Sequence, residues 1–129
     1  MRFRFAFACM SAAIVALAGA ASPGPAAAQG TLSVCPAALG GQRLTGVTFF
    51  DGPLADNAAL APEESIQRGE SVVNTWRFAN RDRITIRCSY GPEGARVSDR
   101  PLRPEQRTCT ARYRTVEGGR LALVDVGCR

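Results

Sequence analysis

The chain has 129 residues, of which 16 are basic and 11 acidic, and its formal net charge is +5. It contains no histidine and no lysine, so every basic residue is an arginine. These absences exclude a Ser-His-Asp triad, a Cys-His pair, a Ser-Lys dyad, a Schiff-base lysine and a histidine metal site. The modest positive charge is spread along the chain rather than concentrated in a basic stripe, so we expect no nucleic-acid partner.

Residues 1–28 are predicted to be a secretory signal peptide. Arg2 and Arg4 form a positive n-region, residues 6–21 are apolar, and Ala26-Ala27-Ala28 offers the small residues that a signal peptidase reads. A spanning helix needs about 20 strongly apolar residues, and this alanine-rich run is shorter, so cleavage before Gln29 is favoured over an uncleaved anchor. We therefore expect a periplasmic or secreted protein without a membrane span after cleavage.

Residues 29–129 are predicted to form a single disulfide-stabilised β domain. Without Arg2 and Arg4 the mature chain keeps 14 basic and 11 acidic residues, a net charge of +3. An even number of cysteines in an exported chain predicts two disulfides. The mature chain has four cysteines, namely Cys35, Cys88, Cys109 and Cys128. Because no CxxC pair accompanies them, disulfides are favoured over a zinc site, and we expect neither a metal nor a cofactor.

The first elements in chain order are a strand and a loop. Residues 42–50 are predicted to form a strand that ends at the turn sequence Asp51-Gly52-Pro53. Residues 54–70 contain alanines, a proline and clustered acids, which predicts an ordered loop with one helical turn near Pro62 and Glu63.

The next segment, residues 73–91, alternates between apolar and polar positions. Its even positions are apolar: Trp76, Phe78, Ile84, Ile86, Cys88 and Tyr90. Arg77 and Arg87 occupy odd positions together with threonines. We predict a half-buried antiparallel hairpin that turns at Asn80-Arg81-Asp82 and sets Trp76 opposite Ile86. A basic aromatic surface for an anion or a nucleic acid is disfavoured, because the aromatic rings point away from the arginines.

Residues 92–107 are rich in proline and charge. Residues 95–98 are predicted to form a short edge strand, because Pro101 and Pro104 cannot donate to a ladder.

The last segment predicts a hairpin around Gly118-Gly119, in a register that sets Cys109 opposite Cys128. One of its faces is predicted to be core: Cys109, Ala111, Tyr113, Val124, Val126 and Cys128. The other face is unusually apolar for a surface exposed to water: Arg112, Arg114, Val116, Leu121, Leu123 and Asp125. Either arginine stems lie over the leucines or another segment or a partner covers them.

If a partner binds, this outer face is where we expect it, because interfaces favour apolar anchors mixed with arginine. The candidate partner-binding residues are Arg112, Arg114, Val116, Leu121 and Leu123.

The disulfide connectivity stays open between two versions. The register of the last hairpin favours Cys109–Cys128, which leaves Cys35 for Cys88. Counting from the turn, however, makes Cys109 and Cys128 a hydrogen-bonded pair. The side chains of such a pair are farther apart than those of a non-hydrogen-bonded pair. Cys88–Cys109 together with Cys35–Cys128 therefore remains a competitor.

Taken together, five or six short strands and two hairpins predict a mainly β fold, either a small antiparallel sandwich or an open barrel, with two disulfides and little helix.

Several short motifs occur in a fixed order along the mature chain: Cys35-Pro36, Phe50-Asp51-Gly52-Pro53, Trp76, Cys88-Ser89-Tyr90, Cys109 and Cys128. In this order the chain resembles a family of small exported proteins of Gram-negative bacteria that has no assigned activity. The resemblance implies export and a two-disulfide domain, and it implies no catalytic residue.

We expect a non-enzymatic protein-binding or inhibitory module whose partner is an envelope or periplasmic protein. An accessory subunit of a cell-envelope assembly is the alternative. A carboxylate-dependent hydrolase is less favoured, because a domain of this size has little room for a sugar cleft. The carboxylates that it would use are Asp51, Asp56, Glu63 and Glu64. The sequence indicates no oligomeric state.

Overall fold

The computed structural model describes residues 32–79 and 83–129, and within them it is built from nine strands. The predicted signal peptide and the predicted turn Asn80-Arg81-Asp82 lie outside the described residues. The strands are β1 Leu32–Ser33, β2 Ala38–Leu39, β3 Gln42–Asp51, β4 Glu64–Arg68, β5 Ser71–Arg77, β6 Ile84–Tyr90, β7 Arg96–Pro101, β8 Thr108–Thr115 and β9 Leu121–Cys128. Three 3-10 turns of three residues each lie between them, at Leu54–Asp56, Pro92–Gly94 and Glu117–Gly119. In these ranges no helix is long and apolar enough to cross a membrane.

The strands form two antiparallel sheets that pack face to face. One sheet has the order β1-β9-β8-β5-β4 and the other the order β2-β3-β6-β7. Phe49 of β3 reaches across the core, with its ring centroid 4.8 Å from that of Trp76 and 5.5 Å from that of Phe78. The mainly β prediction is therefore confirmed, and of its two forms the molecule adopts the sandwich.

The alternation of residues 73–91 identifies the buried face correctly. Trp76, Phe78 and the even positions of β6 are buried, while Arg77 is exposed. The predicted hairpin is nevertheless wrong, since β5 pairs with β4 and β8 whereas β6 pairs with β3 and β7. Alternation determines which side of a strand faces the core, but it does not determine which strand lies beside it. Here the chain crosses from one sheet to the other between β5 and β6.

The segment predicted as a loop with a helical turn contains a strand instead. After the 3-10 turn at Leu54–Asp56, β4 pairs with β5 through a two-residue connection, Gly69-Glu70, in which Gly69 has a φ of +59°. The indole nitrogen of Trp76 donates to the carbonyl of Leu60 at 3.0 Å and so ties the preceding segment to the core. The pairing with β5 overrides the weak strand preference of this polar sequence.

The predicted edge strand at residues 95–98 is longer in the structure, where β7 reaches Pro101. Proline is tolerated there because it occupies the last position of an edge strand.

The disulfides are Cys35–Cys88 and Cys109–Cys128, which confirms the first of the two connectivities. The objection to Cys109–Cys128 fails because the hairpin closes through three residues, with Val116 donating to the carbonyl of Arg120 at 2.8 Å. Thr108 and Arg129 exchange both backbone hydrogen bonds, at 3.0 and 2.9 Å. The neighbouring cysteines therefore form a non-hydrogen-bonded pair, in which side chains approach closely.

Candidate partner-binding surface

A register shift in the last hairpin decides which side chains of β9 face outward. Arg112 pairs with Asp125, but Tyr113 pairs with Leu123, so Val124 is an extra residue on β9. Such a bulge locally reverses the alternation of a strand. Leu123, which was predicted to face outward, packs against the core, whereas Val124, which was predicted to be core, is 57% exposed.

Beside this bulge lies an ion pair between neighbouring strands. The Nε of Arg112 is 3.1 Å from each carboxylate oxygen of Asp125. These hydrogen bonds raise the pKa of Arg112 above its ordinary value. Both side chains are about half exposed, so the pair adds little to stability, but it does hold the guanidinium in place next to Val124.

A groove of about 390 Å³ runs along the outer edge of β9, and we call it the β9 groove. Because β1 pairs with β9 only at Gly127 and Cys128, residues 121–126 have no strand neighbour on that side within the described ranges. Leu123 and Val124 line one wall of the groove, and Arg43 and Leu44 of β3 line the other. The groove therefore offers an open strand edge with apolar and cationic walls.

A second depression, of about 450 Å³, lies on the other side of Val124. Arginines from two strands line it: Arg68 of β4, and Arg112 and Arg114 of β8. Glu70 and Asp125 are its acids, which leaves one positive charge in excess. Together we call this depression and the β9 groove the β8–β9 surface, and Val124 lies where the two meet.

The structure brings only some of the predicted partner-binding residues together. Arg112 and Leu123 line the β9 groove, and Arg114 lines the second depression. Val116 and Leu121 lie instead at the tip of the hairpin, where they are 37% and 50% exposed.

The residues of the β8–β9 surface that sequence reasoning missed include Arg43, Leu44, Arg68 and Val124. Val124 was missed because its sequence neighbours do not signal a bulge. The other three come from β3 and β4, which only the tertiary fold brings near β9.

The four acids considered for hydrolysis are divided among three elements. Asp51 ends β3 and Asp56 lies in a 3-10 turn. The other two, Glu63 and Glu64, approach Arg77 at 3.9 and 3.3 Å. Over residues 32–79 and 83–129, no three His, Cys, Asp or Glu side chains are grouped so that they could hold a metal ion.

A comparison with known families gives a match over most of the chain. The family model described as "Type VI secretion system Tli immunity protein" matches residues 38–129, which is most of the described domain and includes both walls of the β9 groove. No curated protein and no solved structure matches the chain. The predicted resemblance to a small family of exported proteins is confirmed in this general form. Its particular cysteine pattern stays a prediction.

Proposed function

The chain belongs to the type VI secretion system Tli immunity protein family, and on this premise we propose that it is an immunity protein that binds and neutralises a type VI secretion effector. The observation that carries the proposal is the match over residues 38–129, from β2 to the end of the chain. Membership indicates a non-enzymatic inhibitory module that binds a protein. It favours this function over that of an accessory envelope subunit.

The proposed place of action is the periplasm. The predicted signal peptide supports export, and two buried disulfides suit an oxidising compartment, since such bonds are rare where thiols are kept reduced. The chain would therefore meet its effector after the effector has entered the periplasm.

The proposed contact with the effector is the β8–β9 surface. Val124 is an exposed apolar side chain between two concavities, and Arg43, Arg68, Arg112 and Arg114 surround it. Arginine is enriched among the residues that carry most of the energy of protein interfaces, and the buried centre of an interface is more apolar than its rim. The excess of arginine suits a carboxylate-bearing effector surface, which would also speed the encounter by electrostatic attraction. Val116 and Leu121 would lie at the rim of the contact.

Capture from culture supernatants tests the binding. The exported protein is immobilised and exposed to supernatants from a strain that is competent for type VI secretion and from an isogenic strain that lacks the secretion apparatus. We expect it to retain a protein from the first supernatant only. Retention of the same proteins from both supernatants, or of none, would contradict the proposed function.

A matched pair of variants tests the location of the contact. Val124→Asp places a carboxylate at the centre of the β8–β9 surface, and we expect it to weaken binding of the captured protein about tenfold or more. Val97→Asp makes the same change on β7, in the other sheet, at a side chain that is 46% exposed, and should leave binding unchanged. If both variants bind like the wild type, the effector contacts another face, although the proposed function stands.

A further inference from the structure

The strand β4 is an exposed edge of the five-stranded sheet. All five of its residues are exposed. The other sheet ends described are the two-residue strands β1 and β2 and the strand β7, which ends in a proline. Short length and proline are two ways in which proteins prevent edge strands from pairing with other chains, and β4 has neither.

The backbone groups of β4 that point away from the sheet can be identified. Thr115 of β8 donates to the carbonyl of Glu70 at 2.7 Å, and Glu63 donates to the carbonyl of Thr75 at 2.9 Å. Peptide groups alternate in direction along a strand, so the odd-numbered residues of β5 bond to β4 and its even-numbered residues to β8. In β4 the peptide groups of Ser65 and Gln67 therefore point outward.

We propose that β4 pairs with β4 of a second copy of this chain, antiparallel and centred on Ile66. The sequence Glu64-Ser65-Ile66-Gln67-Arg68 is complementary to itself in this arrangement. Ser65 of each copy pairs with Gln67 of the other through the outward peptide groups. Glu64 of each copy then faces Arg68 of the other, as a two-fold symmetric interface requires.

The side chains on the outer face of the sheet support this register. Ile66 is 40% exposed and lies beside the half-buried Val73, so the two copies form one apolar row of Val73, Ile66, Ile66 and Val73. In each copy Arg77 donates to Glu64 at 3.3 Å, and Arg68 of the second copy approaches the same carboxylate. The contacts between the two copies, Ile66 to Ile66 and Glu64 to Arg68, fall at non-hydrogen-bonded positions, where side chains are nearest to one another.

The dimer contains a continuous ten-stranded sheet. The dimer proposal does not depend on the proposed immunity function. In each copy the β9 groove lies three strands from β4, about 14 Å away at the usual strand spacing, whereas the second depression reaches Arg68 at the seam. One pair of five-residue strands is smaller than a standard interface, so we expect a reversible dimer with a dissociation constant on the order of 0.1 mM.

Charge exchange on the exported protein tests the register, with sedimentation equilibrium from about 10 μM to about 1 mM as the measurement, a range that brackets the expected constant. Glu64→Arg sets Arg against Arg68, and Arg68→Glu sets Glu against Glu64, so each single variant should associate at least tenfold more weakly than the wild type. The double variant Glu64→Arg/Arg68→Glu restores both pairs and should dimerise. An equimolar mixture of the two single variants should form a heterodimer.

Two controls separate a broken interface from a damaged fold. Glu105→Arg changes the net charge as Glu64→Arg does, at a site on the loop between β7 and β8, and should leave the dimer intact. Thermal melting of each variant verifies that it is folded. A wild type that stays monomeric over the whole range, single variants that dimerise normally, or a double variant that fails to recover would each overturn the proposal.

Discussion

Removing the disulfide Cys35–Cys88 should destabilise the domain more than removing the disulfide Cys109–Cys128. This bond ties the segment before β2 to the centre of β6, and it closes a loop with a sequence separation of 53 residues. The bond Cys109–Cys128 closes a separation of only 19 residues. All four cysteines are buried, so replacing either pair by alanine removes similar side-chain atoms from the core, and the two variants differ mainly in the loop that is released.

The expected losses follow from the chain entropy that each cross-link removes from the unfolded state. That entropy corresponds to about 4 kcal/mol for a separation of 53 residues and about 3 kcal/mol for a separation of 19. In a domain of roughly 100 residues, a loss of 4 kcal/mol lowers the melting temperature by roughly 15–30 °C. The unfolded chain also expands without the cross-link, so the denaturant dependence of the free energy of unfolding should become steeper.

Urea unfolding followed by the fluorescence of Trp76, the chain's only tryptophan, measures both losses. Cys35→Ala/Cys88→Ala should lose about 4 kcal/mol and Cys109→Ala/Cys128→Ala about 3 kcal/mol. A loss below about 1 kcal/mol for the first variant, or free thiols at these cysteines in the wild-type protein, would show that the Cys35–Cys88 bond does not constrain the chain as argued.

Two further changes test the core and the surface charges. Phe49 is fully buried against Trp76 and Phe78, so Phe49→Ala should lower the free energy of unfolding by about 3–5 kcal/mol in the same urea experiment, and a loss below 1 kcal/mol would contradict the packing. The hydrogen bond from Arg87 lowers the pKa of Asp99 below its ordinary value of 3.8. This pair therefore stabilises the fold above that value and is lost as the pH falls through the lowered pKa. Asp99→Asn should be less stable than the wild type at pH 6, and this deficit should be smaller at pH 2, as urea midpoints at the two pH values would show. An equal difference in stability at the two pH values would refute the stabilising role assigned to the Arg87–Asp99 pair.

Local patterns predicted much of the fold because burial acts on each strand separately. Trp76, Phe78, Ile84 and Ile86 are buried as their alternation predicted, and the strand from Gln42 was found within one residue of its end. The choice of neighbouring strands was not predictable in this way. It depends on which surfaces meet in three dimensions, and so the crossing from β5 to β6 was mistaken for a hairpin.

The last hairpin shows how one extra residue limits prediction of the candidate surface. A three-residue connection and the bulge at Val124 shift the register in compensating directions, so Cys109 still lies opposite Cys128. As a result Leu123, which was predicted to face outward, packs against the core, and Val124, which was predicted to be core, is exposed. The strand β8, which carries Arg112 and Arg114, contains no extra residue. Both arginines are therefore exposed, as the alternation predicted.

Competition between sister cells tests the immunity function most directly. A strain that lacks this gene is grown in contact with its parent, which is competent for type VI secretion, or with a parent whose secretion apparatus is inactive. We predict that the deletion strain is killed only by the competent parent, and that the full-length gene restores survival whereas a version without residues 2–28 does not. Equal survival of the deletion strain beside both parents would contradict the proposal that this protein neutralises a type VI effector.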